Sequence, residues 1–163
     1  MGELSTSEHE RWMDVALAEA ELAVAKGDVP VGAIVVQEGR VIGRGHNLRE
    51  VDQDPTAHAE MIAIRQAAKE LGSWRLEGCT VYVTLEPCPM CSGAMVLSRI
   101  HRCVYGASDP KGGFLGTLAD LSAFEGLNHR FDVVAGVQAQ ACSERLTGFF
   151  REIRRRKKVE RET

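Results

Sequence analysis

Three observations predict an α/β fold, built as three α/β/α layers around a five-stranded mixed sheet. Helix-period segments interleave with β-rich ones along the chain. The 163 residues suffice for one hydrophobic core and are too few for two of ordinary size, so a single domain over 1–163 is expected. Finally, His58, Glu60, Cys88 and Cys91 all fall where helices are predicted to begin.

The elements follow in order. Ser7 with Glu10 three residues on reads as a capping box, and Met13, Ala16, Leu17, Ala20 and Val24 recur at helical spacing, which predicts a first helix from about Glu8 to Lys26. Gly27-Asp28 ends it. Val29–Val36 and Arg40–Gly45, joined at Glu38-Gly39, predict an antiparallel hairpin. A polar loop over 48–55 leads to a second helix, Ala57–Leu71, with Met61, Ile64, Ala68 and Leu71 on one stripe and Gly72 as its stop. Cys79–Leu85 is a β-branched strand, and Pro89 opens a third helix to about Arg99. Arg102–Gly106 is a fourth strand, and the breaker-rich stretch 107–116 reads as a functional loop. Phe131–Val137 predicts a fifth strand, and a basic helix over about 138–158, interrupted in pattern at Gly148, ends the chain. No internal repeat or low-complexity linker is present.

Composition narrows the classes. No apolar run approaches the roughly 20 residues of a membrane span, and the segment Met1–Glu8 is acidic and polar, so neither a membrane anchor nor a secretory signal is expected and a cytoplasmic location follows. Five cysteines at irregular spacing argue against a disulfide framework and for metal or core use. The net charge of −3 is unevenly spread: residues 151–163 carry seven Lys/Arg against three Asp/Glu, a net of +4, which leaves −7 on the rest. A basic tail on an acidic body fits contact with phosphate, and it equally fits a solvated helix end whose cations complement the dipole.

The chemistry concentrates in His58-Ala59-Glu60 and Pro87-Cys88-Pro89-Met90-Cys91. A structural zinc site is closed by four protein ligands, whereas a catalytic one keeps three and leaves a position for water. His58, Cys88 and Cys91 make three, so one zinc ion per chain is expected, and Glu60 remains available to move protons. His-x-Glu followed by Pro-Cys-x-x-Cys is the known signature of zinc-dependent deaminases. A Cys-x-x-Cys pair alone could be a redox pair, but a redox pair has no need of the upstream His-x-Glu. A closed structural site would need a fourth ligand, and its candidates, Cys79 and Cys103, lie in predicted sheet interior.

The stretches Val29-Pro30-Val31-Gly32, Gly45-His46-Asn47, Asp54-Pro55-Thr56-Ala57-His58-Ala59-Glu60, Thr84-Leu85-Glu86-Pro87-Cys88-Pro89-Met90-Cys91-Ser92-Gly93-Ala94, Asp109-Pro110-Lys111, Asn128-His129 and Gly148-Phe149-Phe150-Arg151 together resemble the bacterial tRNA-specific adenosine deaminases of the cytidine/deoxycytidylate deaminase superfamily. The resemblance covers nearly the whole chain and implies a cytidine-deaminase-like fold, a homodimer, and conversion of the wobble adenosine of a tRNA anticodon to inosine. It implies zinc on His58, Cys88 and Cys91, acidifying the attacking water, with Glu60 shuttling protons. Asn47 would hydrogen-bond the target nucleoside, with Val29, Pro30 and Val31 as the apolar wall; without the resemblance, Asn47 reads equally as a turn residue. Asp109, Lys111, Phe149, Phe150, Arg151 and Arg154 fall where the family contacts the anticodon stem-loop, although adjacent Phe149 and Phe150 cannot share one helix face and could pack the last helix. The Gly112-Gly113-Phe114-Leu115-Gly116 stretch departs from the family pattern. Rival readings are a free base or nucleotide deaminase of guanine or cytidine type, and a non-catalytic tRNA-binding subunit with a structural zinc.

Overall fold

In the computed structural model, described for residues 3–163, helices cover both faces of one five-stranded sheet of order β2-β1-β3-β4-β5. The expectation about a secretory signal rests partly on Met1 and Gly2, which lie outside the described residues. The first helix, α1 (Thr6–Ala25), starts two residues before the predicted point. Ser5 and Ser7 each precede a glutamate by three, and the earlier pair forms the box: Ser5 Oγ accepts the Glu8 amide at 3.2 Å and the Glu8 carboxylate accepts the Ser5 amide at 3.0 Å. That start places His9 inside, where its Nδ1 meets the Tyr82 hydroxyl at 2.8 Å.

β1 (Gly32–Gln37) and β2 (Arg40–His46) form the antiparallel hairpin, turned by Glu38 and Gly39, both at positive φ as a type I′ turn requires. The segment 29–31, predicted as strand, lies before β1. The polar loop contains a one-turn helix, α2 (Arg49–Asp52). Then come α3 (Ala59–Leu71), β3 (Thr80–Leu85), α4 (Pro89–Leu97) and β4 (Arg102–Ala107). β1 pairs antiparallel and β4 parallel with β3, so the sheet is mixed.

Two predicted elements differ at the carboxyl end of the chain. β5 is only Asp132–Val134, because Gly136 at φ 79° turns the chain away. The last helix, α5 (Ala139–Glu162), runs unbroken through Gly148, whose cost of about 1 kcal/mol is small against the surrounding helix. Just past that glycine it carries ion pairs from Glu152 to Arg155 at 2.6 Å and to Arg156 at 3.3 Å.

One core lies between the sheet and α3/α4, and includes Val35, Ala63, Val83 and Met95. A second lies under α1 and α5, with Met13, Leu17, Tyr82, Val104 and Cys142. Cys79 and Cys103 are buried in these layers, as small apolar groups. No helix among the described residues is long and apolar enough to cross a membrane.

Candidate metal centre and substrate cavity

The topology gathers one edge of the sheet into a site. The parallel pair β3/β4 ends there, and the antiparallel register brings the start of β1 and the end of β2 to the same edge, with Gly32 opposite His46. Ligand sites form at the carboxyl ends of parallel strands in this way.

Two helices deliver the candidate metal-binding side chains. His58 is the N-cap residue of α3 and Cys88 that of α4, whose first position is Pro89. α3 can approach because β2 has no side chain at Gly45: a Cβ there would overlap the Ala59 carbonyl oxygen. In α4, the Cys91 amide donates to Cys88 Sγ at 3.5 Å. The ligand atoms of His58, Cys88 and Cys91 lie within 4.8 Å of one another, the only such group of three metal-binding side chains among the described residues. His58 Nδ1 is 3.6 Å from each sulfur. A tetrahedral zinc with ordinary Zn–S and Zn–N bonds requires an S to N separation of about 3.6 Å, so the geometry fits that ion.

Of the three side chains, Cys88 already favours its metal-binding form, whereas Cys91 and His58 would release protons to a bound metal. Cys88 is drawn down to about 4, first by the Cys91 thiol donating to it and then by His58, at a helix N-terminus that itself favours thiolate. Cys91 is correspondingly pushed up, because it donates to Cys88 and is buried. His58 is raised, chiefly by its bond to Cys88. Burial pushes Cys79 up to about 11 and raises Cys103 as well, so both remain thiols.

Glu60, on the first turn of α3, is 4 % exposed. Burial first, and the Cys88 charge next, push it up to about 7. A carboxyl group in that range can hold or release a proton near neutrality.

These groups open onto a cavity of about 560 Å³, within the usual range for small-ligand sites. Val29, Val31, Asn47, His58, Glu60, Cys88, Asp109, Lys111 and Phe150 line it. The Asn47 side-chain oxygen accepts the Arg49 amide at 3.0 Å, which fixes its carboxamide. Pro30 is buried but not on the wall; it shapes the turn in which the Val31 amide donates to the Val29 carbonyl at 2.8 Å. Phe149 lines a separate cleft with Glu21, Val24 and Gly27 of the α1 end, while exposed Phe150 meets it edge-on, ring centres 5.5 Å apart. Arg151 and Arg154 are exposed on α5 and do not line the cavity.

Sequence reasoning passed over Arg49, Ser108 and Leu146, which also line the cavity, and the buried carboxylates of Asp28 and Glu86. Glu86 could have been found: an acidic residue sits between a buried β-branched strand and Pro87-Cys88, where no solvent-facing alternation accounts for it.

Known proteins are similar to this chain in sequence and fold. Residues 7–154 match the family of MafB19-like deaminases. The tRNA-specific adenosine deaminase of Bacillus subtilis (strain 168) is 54 % identical over 155 residues, 95 % of this chain and 96 % of that one. A solved structure from studies of A-to-I editing by tRNA:A34 deaminases at the wobble position superposes with a TM-score of 0.80 at 43 % identity, covering 83 % of this chain and 99 % of that one. A guanine deaminase from Bacillus subtilis has a TM-score of 0.59 at 42 % identity, over 61 % of this chain and 64 % of its own. The chain belongs to the MafB19-like deaminases, in the family of the tRNA-specific adenosine deaminases.

Proposed function

We propose that this protein is a zinc-dependent hydrolase that converts the wobble adenosine of a tRNA anticodon to inosine. The observation that carries this reading is the meeting of His58, Cys88, Cys91 and buried Glu60 beside one cavity that Asn47, Asp109, Lys111 and Phe150 also line. Similarity across nearly the full length of the Bacillus subtilis tRNA-specific adenosine deaminase supports the substrate class.

His58, Cys88 and Cys91 hold one zinc ion per chain. Zinc bound there supplies a Lewis acid that brings the ionisation of water near neutral pH. Glu60 accepts a proton from the attacking water and passes it to the ring nitrogen beside the reacting carbon. A second transfer through Glu60 lets the amino group leave as ammonia, so adenosine and water give inosine and ammonia. Asn47, oriented by the Arg49 amide, hydrogen-bonds the nucleoside, and Val29 and Val31 cover the base. The base must leave its stack to reach this depth.

Phe150 stacks on a loop base, Lys111 and Arg151 meet phosphate, and Arg154 continues the basic face along α5. Phe149 anchors α5 beside α1. Residues 1–163 act as a single domain that pairs as a homodimer, and the protein works in the cytoplasm with its tRNA.

The Bacillus subtilis guanine deaminase similarity favours a second reading, deamination of a free base. Purified protein is incubated with a minimal anticodon stem-loop and, separately, with adenosine, cytidine and guanine. Inosine at the wobble position, with one ammonia released for each, is expected. Turnover of a free base with none on the stem-loop would replace this reading by the second.

A further inference from the structure

We propose that Glu86 is a positioning residue: its carboxylate sets the loop 109–117, and with it Asp109 and Lys111, at the cavity mouth for an RNA substrate. The inference rests on the RNA reading above. Glu86 follows β3 directly and is 2 % exposed. Oε1 accepts the Asp109 amide at 3.1 Å and the Thr117 hydroxyl at 2.5 Å, while Oε2 accepts the amides of Leu115 and Thr117, both at 3.1 Å. A carboxylate has about four acceptor sites, and all are used. Although it borders the cavity, Glu86 is therefore neither a base nor a ligand.

The loop wraps closely around this group. A Cβ at Gly113 would overlap the Glu86 carboxyl atoms, so the absence of a side chain at position 113 is what permits the wrap here. The loop has little regular structure of its own, an isolated bridge from Leu115 to Asp120 apart. Asp109 in turn accepts the amides of Lys111 at 3.0 Å and Gly112 at 3.2 Å. The order of the rim thus passes from Glu86 through Asp109 to Lys111.

Glu86→Gln is a selective probe. Its NH₂ can face the Thr117 hydroxyl, which reverses to accept, while the remaining oxygen keeps the amides of Leu115 and Thr117. The Asp109 amide alone then loses its acceptor. Thr117→Val, which leaves Glu86 intact and removes a single bond, serves if Glu86→Gln fails to fold. On the stem-loop, with zinc-loaded protein, Glu86→Gln should raise KM by about tenfold, the scale of one missing charge-assisted hydrogen bond, and Thr117→Val, which loosens the same carboxylate but keeps its Asp109 bond, should raise it by a smaller factor, each with kcat within about twofold. Zinc content should stay at one per chain. If Glu86 acts through Lys111, adding Lys111→Ala to Glu86→Gln should cost no more than the worse single variant. A fall in kcat that tracks zinc loss, or full additivity with Lys111→Ala, would overturn the inference. Unshifted KM with normal wild-type turnover would overturn it alone, whereas an inactive wild type would remove the RNA reading first.

Discussion

Asp28 Oδ2 accepts the backbone amide of Val51 at 3.0 Å, across 22 intervening residues of chain. The same oxygen takes the Glu50 amide at 2.9 Å, and Oδ1 takes that of Val29 at 2.9 Å. α2 has no capping side chain of its own, so this fully buried carboxylate does that work and secures the rim segment that carries Arg49.

Asp28→Ala leaves three amides without their acceptor and should cost about 2–4 kcal/mol of stability in urea unfolding. A loss under about 0.5 kcal/mol, the range of an ordinary surface substitution, would contradict this account of the rim.

Residues that touch across long sequence separations explain what the sequence concealed. His58, Glu60, Cys88 and Cys91 were readable because each pair is local and tied to a helix start, where spacing fixes geometry. Asp28 was not, since a carboxylate reads as a surface charge until distant amide donors fold onto it, and for Glu86 the local pattern could point to burial but not to its donors, 23 to 31 residues away. The strands were readable from β-branched runs, but Phe131–Val137 was overdrawn because Gly136 ends β5 through a positive φ that composition does not reveal. Gly148 misled in the opposite direction: a local breaker was overridden by a helix of 24 residues.

Metal-free protein should show a pH signature of Glu60. Its folded pKa, about 7, lies above the ordinary 4.5 because burial disfavours the charge. The stability that it contributes is thus fully present below pH 4.5 and is lost as pH rises through about 7. Against Glu60→Gln, which does not titrate, metal-free wild type should lose roughly 3 kcal/mol of relative stability over that window. A constant difference from pH 4.5 to 8 would mean that Glu60 is not desolvated.

Three ligands imply that the remaining cysteines leave the metal alone. Cys79→Ala and Cys103→Ala should keep one zinc per chain by metal analysis, even where removal of a buried side chain lowers stability. Half occupancy or less in either would indicate a site closed by a fourth thiolate.

The basic end of α5 can be removed without touching either core, since residues 154–163 are all exposed. Deleting them takes away six of the seven cations of the tail. Stem-loop affinity should fall, and its dependence on salt should become shallower by about 0.7 in logarithmic slope for each phosphate no longer neutralised. Equal affinities and slopes for two folded proteins would assign the tail to solvent.

The central claim is that His58, Cys88 and Cys91 hold the metal while Glu60 moves the protons. It is tested most directly by zinc content and inosine formation on the anticodon stem-loop, measured side by side for wild type, Glu60→Gln and Cys88→Ala. Glu60→Gln should keep one zinc per chain and lose about 10²–10⁴-fold in turnover, the scale of general acid–base catalysis. Cys88→Ala should lose the zinc itself. Zinc loss in Glu60→Gln equal to that in Cys88→Ala, or undiminished turnover with zinc retained, would contradict the account.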